Sequence, residues 1–311
     1  MEERILQELK NASAVVTQTY NLKLLTPAAI HGAKPKEKAE FRVTSLRGVL
    51  RYWWRASSAA LELKNLKDQE SCYFGGIDRE SGGKSSIRFQ LQQHVNSLVQ
   101  SELLPHRNGI GMKRPALQPG LCICIHMESR KPFTMEENDA SKLKNAMELF
   151  LMVGSIGQRA RRGFGAMQWD QHQFKNVDEY MRRLKELLRS LNREVGISSD
   201  AYNNVKLDDG THLQLYGRPL LVAVWIGEGK ERAEDATKKF GEASHLRRGR
   251  PSLGAGNKRL ASPLWGTVRE IGGRYYPIIS ELHSNEFGNE SYKKDRDEFL
   301  THMGVRGIAG N

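Results

Sequence analysis

Alternation of apolar and polar residues predicts that the chain begins with a β-strand at residues 14–25. β-Branched residues are frequent in this stretch and the apolar positions recur at about every second residue, as in a strand with one buried face. Residues 140–153 have a different period, in which apolar residues recur at i, i+3, i+4, i+7 and i+8. That spacing places them on one face of a helix.

The same two periods assign the remaining elements. In the first half they predict a helix at roughly 45–63, strands at 86–92, 121–127 and 166–170, and long loops at 31–40 and around 105–119. In the second half they predict strands at 219–226, 262–268 and 275–279, and helices at 231–244 and 291–303. A charged helix at about 176–194 is predicted to lie between the two halves as a spacer.

This order of elements predicts an α+β protein. The first half has the order strand, helix, strand, strand, helix, strand, which is the βαββαβ order of a ferredoxin-like domain. The second half repeats that order more loosely. We therefore predict two tandem ferredoxin-like (RRM-like) βαββαβ domains with loop insertions, at residues 1–175 and 197–311, joined by the helical spacer at 176–196.

Composition places the chain among ordinary globular proteins. Its 311 residues are 39% hydrophobic and 27% charged. No apolar run approaches the roughly 20 residues that a membrane-spanning helix needs, and the first residues are too polar for a signal peptide. The three cysteines form an odd set in a long chain, which favours reduced thiols and a cytoplasmic location without membrane attachment.

The net charge of +12 is concentrated in three segments. Residues 31–55 carry +5, residues 154–165 carry +3 and residues 245–259 carry +5, so the rest of the chain is close to neutral. A single basic cluster is as often a solvated surface as a binding site. Three clusters with few or no acidic residues, two of them rich in glycine, favour a polyphosphate ligand such as a nucleic acid.

The first basic segment ends in a predicted helix that Thr44 or Ser45 caps. Its arginines recur every four residues, so they form one cationic stripe. An apolar face next to the stripe contains Trp53, and Trp54 is predicted at the border between the two faces, where it could stack on a base. The candidate RNA-binding residues of this segment are Arg42, Arg47, Arg51, Trp54 and Arg55.

The second basic segment is a glycine- and arginine-rich loop at residues 154–165, called the glycine/arginine loop below. Four glycines in twelve residues permit backbone conformations that other residues avoid and let a ligand come close. Backbone amides in such a loop can bind phosphate. The alternative is a tight turn that only caps a helix. The candidate RNA-binding residues here are Gly157, Arg159, Arg161, Arg162, Gly163, Phe164 and Gly165.

The third basic segment ends at a loop that enters a strand. Lys258 and Arg259 are candidate phosphate ligands there, and an ordinary loop is the alternative.

Nucleotide-binding fingerprints are incomplete. Gly83-Lys84-Ser85 resembles the end of a P-loop, but position 78, where that motif needs its first glycine, is Asp. Lys84 is a further candidate RNA-binding residue.

Catalytic and metal sites have weaker support. Cys122, Cys124 and His126 alternate along a predicted strand, where neighbouring ligands lie about 6.6 Å apart, too far to share one metal ion comfortably. His31 and His245 are the best candidates for the general base of an RNase. Neither has a partner that is visible in the sequence, so we predict no catalytic residue, no metal site and no cofactor.

Several motifs resemble the RAMP superfamily of CRISPR-associated proteins, and within it the first subunits of the type III-B (Cmr) effector complexes. These motifs are Leu25-Thr-Pro with His31-Gly-Ala, Ser45-Leu-Arg-Gly-Val-Leu-Arg-Tyr-Trp-Trp-Arg55, Phe74-Gly-Gly with Gly83-Lys84-Ser, Gly157-Gln-Arg-Ala-Arg-Arg-Gly-Phe-Gly165 and Arg259-Leu-Ala-Ser-Pro263. The resemblance spans nearly the whole chain. It departs from the family pattern at Ser155, where a second glycine is common, and at Gln158, where a small residue is common.

This resemblance implies two ferredoxin-like domains and binding to the 3′ part of a CRISPR RNA (crRNA). It also implies contact with target RNA and with other RAMP subunits of a Cmr complex, in antiviral defence. Phosphate clamping by arginines, with an aromatic ring on an unpaired base, is the expected mode of binding. With about six phosphates neutralised, the log–log salt slope on single-stranded RNA would be roughly −4. The alternatives are a metal-independent RAMP-type endoribonuclease and a scaffold that binds acidic proteins.

Overall fold

The computed structural model describes residues 15–58, 63–77, 83–92, 98–104, 113–130, 137–191, 198–199, 204–207, 219–246, 251–254, 260–283 and 290–308. Its strands are β1 Val15–Leu24, β2 Ile87–Leu91, β3 Leu98–Glu102, β4 Lys113–Leu117, β5 Cys122–Arg130, β6 Met167–Trp169, β7 Ser198–Ser199, β8 Val205–Lys206, β9 Leu221–Ile226, β10 Leu264–Ile271 and β11 Arg274–Leu282. Its α-helices are α1 Val43–Ser57, α2 Leu63–Phe74, α3 Glu137–Val153, α4 Val177–Ser190, α5 Ala233–His245 and α6 Glu290–His302. The predicted α+β class is confirmed, with antiparallel pairing throughout the described ladders.

The first sheet has the strand order β2-β5-β1-β6. Along β1, every second side chain from Tyr20 to Leu24 is buried, while Thr19, Asn21 and Lys23 are exposed on the opposite face. The buried face packs under α1 and α3, where Leu46, Leu50 and Trp53 of α1 are inaccessible to solvent. The apolar face predicted for this helix is therefore confirmed.

The second sheet has the order β10-β11-β9-β8-β7. Helices α5 and α6 cover one face through a cluster that includes Phe240 and Phe299. On the other face, Val224 and Ile278 join the same hydrophobic core as the first sheet, and α3 packs against β10 and β11. The core is thus continuous from one half of the chain to the other.

Three local expectations need correction. The helix predicted at 45–63 ends at Ser57, where the Ser58 amide and the hydroxyls of Ser57 and Ser58 all donate to the carbonyl of Trp54. A separate helix, α2, follows it. The loop predicted around 105–119 contains β4, which pairs with β3 in a hairpin.

The third correction concerns α4, which was expected to be a spacer. Asn176 caps it by accepting a hydrogen bond from the Glu179 amide, and the Glu179 carboxylate accepts one from the Lys175 amide. Its inner side chains are buried, and the Tyr180 hydroxyl donates to the Met152 carbonyl of α3 at 2.9 Å. Helix α4 is therefore a structural part of the core.

A buried ionic cluster joins α3 to α4. Glu148 of α3 is 4% exposed and accepts hydrogen bonds of 2.7 Å from both Nε and Nη2 of Arg183. The ring of His172, also 4% exposed, lies 3.2 Å from the same carboxylate. Burial alone would raise the pKa of Glu148, but the hydrogen bonds from His172 and Arg183 and the charge of Arg183 outweigh it and lower that pKa to about 2.

We expect acid to destabilise the protein through this cluster. A carboxyl group with a lowered pKa stabilises the folded state fully above its ordinary value of 4.5, and this contribution is lost as the pH falls towards about 2. Burial also lowers the pKa of His172, so its contribution is lost as the pH falls below 6.5. Urea unfolding between pH 7 and pH 3 measures both effects. Glu148→Gln should flatten the dependence of the free energy of unfolding on pH below pH 4.5. Glu186→Gln, at an exposed partner of Arg183, should leave this dependence unchanged. If the two variants gave the same pH dependence, the assignment to Glu148 would be wrong.

Candidate nucleic-acid interface

The arginine stripe on α1 is confirmed as a helical face, but two of its members are paired. Arg51 donates from Nε to Glu70 of α2 at 2.5 Å, and Arg55 Nε lies 3.6 Å from the other oxygen of the same carboxylate. Glu70 is only 8% exposed. One acidic side chain therefore partly neutralises two arginines, and the stripe retains less positive charge than its sequence indicates.

The first turn of α1 remains strongly cationic. Its cap residue is Arg42 rather than Thr44 or Ser45, and no side chain caps the helix. Arg42 donates to the His31 carbonyl at 3.0 Å, and its Nε lies 3.9 Å from a Glu40 oxygen. Arg47, one turn further on, forms no ion pair within the described part of the chain, and its Nε is buried without a partner. The positive end of the helix dipole adds to these charges.

Glycines shape the glycine/arginine loop because side chains would not fit at two of its positions. Gly157 has a φ of 95°, and a Cβ there would lie 2.8 Å from the Ala29 carbonyl oxygen. Gly165 has a φ of 65°, and a Cβ there would overlap the Ile156 carbonyl. The amide of Gln158 donates to the Ala29 carbonyl at 2.9 Å, so the loop is held against the residues that lead into the first basic segment.

The far side of the loop is attached to the second half of the chain. The Gly163 amide donates to the Gly266 carbonyl at 3.0 Å, and the Gly266 amide donates to the Arg161 carbonyl at 3.1 Å. These two bonds form a parallel bridge to β10. The loop therefore lies where the two halves of the chain meet, and this contact of residues 161–163 with β10 is called the seam below. The local sequence of the loop did not indicate this role.

Arg161 lies in this seam against two aromatic rings. Its guanidinium carbon is 4.8 Å from the ring centre of Trp265 and 5.4 Å from that of Tyr52. Nη1 donates to the Ser262 carbonyl, and Nη2 donates to the Tyr52 hydroxyl at 3.0 Å. Arg161 thus links α1 of the first half to the start of β10 in the second.

Arg162 also binds within the protein. It donates to the carbonyls of Leu253 and Leu264, both at 3.4 Å, and its guanidinium carbon lies 5.9 Å from the ring centre of Phe299. Burial, and then the charges of Arg159 and Arg161, lower the pKa of Arg162 to about 10, so it stays charged at neutral pH. Phosphate would therefore have to compete with these carbonyl groups of the protein for the guanidinium groups of Arg161 and Arg162.

Arg159 is the arginine of this loop that faces solvent. Its φ of 54° is left-handed, which is uncommon outside glycine, and its carbonyl accepts a hydrogen bond of 2.8 Å from the Arg162 amide. The tight turn directs Arg159 outward at the apex of the loop, next to Gly157 and Gln158, which are also exposed. This residue fits the phosphate contact predicted for the loop.

Two aromatic residues lie elsewhere than expected. Trp54 is 3% exposed, with edge contacts to Tyr73 and Phe74 at 5.6 and 6.3 Å between ring centres. The unpredicted helix α2 supplies both partners, which explains why Trp54 is not at a border. Phe164 is 3% exposed and belongs to a small cluster with Leu103 of the β3–β4 region. Neither ring has a face available for a base.

Sequence reasoning missed Arg269, a buried residue of β10. Its Nε donates to the Leu151 carbonyl and its Nη2 to the Gly154 carbonyl, both at 2.6 Å. Thr267 donates to the same Gly154 carbonyl at 3.0 Å. These bonds satisfy the carboxyl end of α3, whose last carbonyls have no helical partner. A single arginine in an apolar strand gives no local signal of such a role.

The remaining predicted residues are placed as follows. Lys84 is exposed, next to the isolated bridge between Gly76 and Gly83, and no described contact joins it to the seam. Lys258 and Arg259 lie outside the described residues. His31 Nε2 is 2.9 Å from the Pro115 carbonyl, and its Nδ1 is buried, so neither ring nitrogen is presented to a ligand.

The Cys122–His126 strand places its three side chains on the solvent side of the first sheet, where His126 contacts Thr19 at 3.0 Å. Within the described ranges, no group of three His, Cys, Asp or Glu residues is arranged to hold a metal ion. The described helices include none with the length and apolar character needed to cross a membrane.

The three basic segments meet around Arg161 and Arg162. Tyr52 belongs to the first segment and Arg161 to the second, while Leu253 and Ser262 lie within and just beyond the third. Arg161, Arg162 and Arg269 form no ion pair with a carboxylate of the described part of the chain. The seam therefore carries buried positive charge that no described acidic group compensates.

The fold combines two large antiparallel sheets with a glycine-rich basic loop that bonds to both halves of the chain. A comparison with protein-family models finds a match for the first of these halves. Residues 21–168 match the model of the RAMP superfamily. That range runs from β1 to β6 and includes the glycine/arginine loop. Over this range the chain is similar to the RAMP superfamily.

Its relatives are more specific. The CRISPR system Cmr subunit Cmr1-1 of Pyrococcus furiosus is 27% identical over 326 aligned residues, which cover 90% of this chain and 88% of that protein. The crystal structure of apo Cmr1 from Pyrococcus furiosus matches 95% of this chain and 99% of its own, with a TM-score of 0.61 and 18% identity. A chain of the type III-B Cmr-beta complex bound to cognate target RNA matches 94% and 100%, with a TM-score of 0.61 and 12% identity. In sequence this chain is similar to that Cmr subunit, and the structural matches show that the fold is shared over nearly the whole length.

Proposed function

We propose that this chain is an RNA-binding subunit of a type III-B CRISPR effector complex. It binds the 3′ part of the crRNA, contacts target RNA, and assembles with other RAMP subunits in the cytoplasm. The observation that carries the proposal is the convergence of three basic segments on the seam at Arg161 and Arg162. The similarity to Cmr1-1, and to a chain of a complex bound to cognate target RNA, supports it.

The mode of binding follows from which cations lie at the surface of the protein. Arg42, Arg47 and Arg159 lie on adjoining segments, since Arg42 binds the His31 carbonyl and the loop of Arg159 binds the Ala29 carbonyl. We assign backbone phosphates to these three. Because guide sequences vary, contacts to the backbone suit the task better than contacts to base edges. Arg51, Arg55 and Lys84 are secondary candidates, and so are Lys258 and Arg259, which lie between Leu253 and Ser262 in the sequence.

The salt dependence of RNA binding tests how many cations take part. With Arg161 and Arg162 bonded inside the protein, about four phosphates are neutralised instead of six, and the expected log–log slope on single-stranded RNA becomes about −3. Fluorescence anisotropy with a labelled single-stranded RNA, between 50 and 300 mM salt, would measure it. A slope near zero would contradict an electrostatic interface, and a slope of −4 or steeper would return Arg161 and Arg162 to the contact set.

Endoribonuclease activity is the alternative function, and one assay separates it from binding. A metal-independent RNase needs an accessible general base near the phosphate, whereas the ring of His31 is engaged with Pro115 and buried at Nδ1. Incubation of the pure protein with a labelled CRISPR repeat RNA in EDTA should leave the RNA intact while binding is observed. Specific cleavage under these conditions would favour the enzyme.

We also propose that the two halves are tandem ferredoxin-like domains. In the first sheet the order β2-β5-β1 places the second, third and first strands side by side, and β10-β11-β9 repeats this order in the second sheet. Helices α1 and α5 follow the first strand of their units, and helices α3 and α6 follow the third. The position beside the first strand is filled by β6 in one unit. In the other it is filled by β8, which precedes its unit in the chain.

A further inference from the structure

We propose that Tyr52 is a stacking platform for an unpaired RNA base at the seam between the two halves. This inference rests on the proposed function and deepens it, because it names the aromatic contact that the buried rings of Trp54 and Phe164 leave unassigned. Tyr52 is partly exposed and packs on the edge of the core.

The surroundings of Tyr52 distinguish it from the other rings of the seam. Trp53 is fully buried and Trp265 is 6% exposed, so Tyr52 is the aromatic residue with accessible surface among the described residues that contact Arg161. Its ring is 5.3 Å from that of Trp265 and 6.2 Å from that of Trp53, measured between ring centres. These neighbours and the hydrogen bond from Arg161 hold the ring in one orientation, which removes most of the entropy cost of stacking.

The charge around the ring favours a base that is attached to phosphates. Arg161 lies over the ring, and Arg51 and Arg55, whose charges Glu70 neutralises only in part, flank Tyr52 on α1 within one turn. An aromatic face beside several arginines is the arrangement by which proteins hold single-stranded RNA without selecting its sequence. A protein partner is less suited, because it would have to supply acidic groups and an aromatic contact at the same place.

The test compares variants of the full chain in anisotropy titrations with a labelled single-stranded RNA. Tyr52→Ala should weaken binding about tenfold, since stacking on one base contributes about 1–3 kcal/mol. Tyr52→Phe should stay within about threefold of the unchanged protein. The salt slope should be the same for all three proteins, because no charge is removed. Tyr275→Ala, at a partly exposed tyrosine of β11 outside the seam, is the matched control and should have no effect.

Two further measurements keep the inference open to refutation. Tyr52→Leu retains apolar volume and serves as a second variant in case Tyr52→Ala loses thermal stability. A tenfold loss of RNA affinity in a stable Tyr52→Leu protein would still support stacking. RNA in which the bases are replaced by abasic sites should bind Tyr52→Ala and the unchanged protein equally. Unchanged affinity of Tyr52→Ala and Tyr52→Leu for normal RNA would overturn this inference alone, whereas no RNA binding by the unchanged protein would overturn the proposed function as well.

Discussion

Arg269→Met is expected to lower the free energy of unfolding by about 3 kcal/mol. The substitution keeps much of the apolar volume but leaves the carbonyls of Leu151 and Val268 without their donor, and leaves Gly154 with Thr267 as its remaining donor. A buried acceptor without a partner costs about 1–3 kcal/mol. Removal of a buried charge without a carboxylate partner offsets part of this cost. Urea denaturation followed by circular dichroism would measure the difference.

Arg274→Met is the matched control, because Arg274 belongs to the same hairpin but is exposed and donates only to the Gly229 carbonyl in the described contacts. We expect it to cost less than about 1 kcal/mol. Arg269→Lys keeps the charge but cannot reach both carbonyls at the end of α3, so it should fall between the two. Equal stability of the Arg269→Met and Arg274→Met variants would show that the capping of α3 from β10 does not hold the halves together.

Periodicity alone predicted most of the secondary structure, because the elements of this chain have clear apolar faces. The strand at β1 and the helices α3 and α5 lie within a few residues of their predicted bounds. Helix α2 was missed because its apolar positions are few and its last residues, Tyr73 and Phe74, adjoin two glycines that indicate a turn. The β3–β4 hairpin was missed because Pro115 in β4 argues against a strand.

The fates of the arginines could not be predicted from the same sequence. Arg159, Arg161 and Arg162 share a loop and have equal charge, yet one faces solvent and two bind carbonyls that lie about 90 to 100 residues away in the chain. Local spacing contains no record of such distant partners. The same limit applies to Trp54, whose burial depends on α2, and to Arg51 and Arg55, whose charge depends on Glu70.

Combined replacement of Arg42, Arg47 and Arg159 by Glu is expected to weaken RNA binding at least about 100-fold at 100 mM salt. Each charged contact with a phosphate contributes about 1 kcal/mol or more, and reversal of the charge adds repulsion to its loss. Arg159 is exposed and Arg42 and Arg47 lie at the partly exposed start of α1, so the melting temperature should change little. Anisotropy titration and thermal unfolding of the same samples would measure both quantities.

Replacement of Lys144, Arg182 and Arg189 by Glu changes the net charge by the same amount, at exposed positions of α3 and α4. This triple variant therefore controls for net charge. If it weakened binding as much as the first variant, long-range attraction would explain the affinity and no local interface would be needed. The double variant Arg161→Glu/Arg162→Glu is expected to behave differently from the Arg42/Arg47/Arg159 variant. It should lose RNA binding together with the folded state, because carboxylates would then face the carbonyls of Leu253 and Ser262. Loss of binding in a stable Arg161/Arg162 variant would instead mean that these arginines exchange their carbonyl partners for phosphate when RNA arrives.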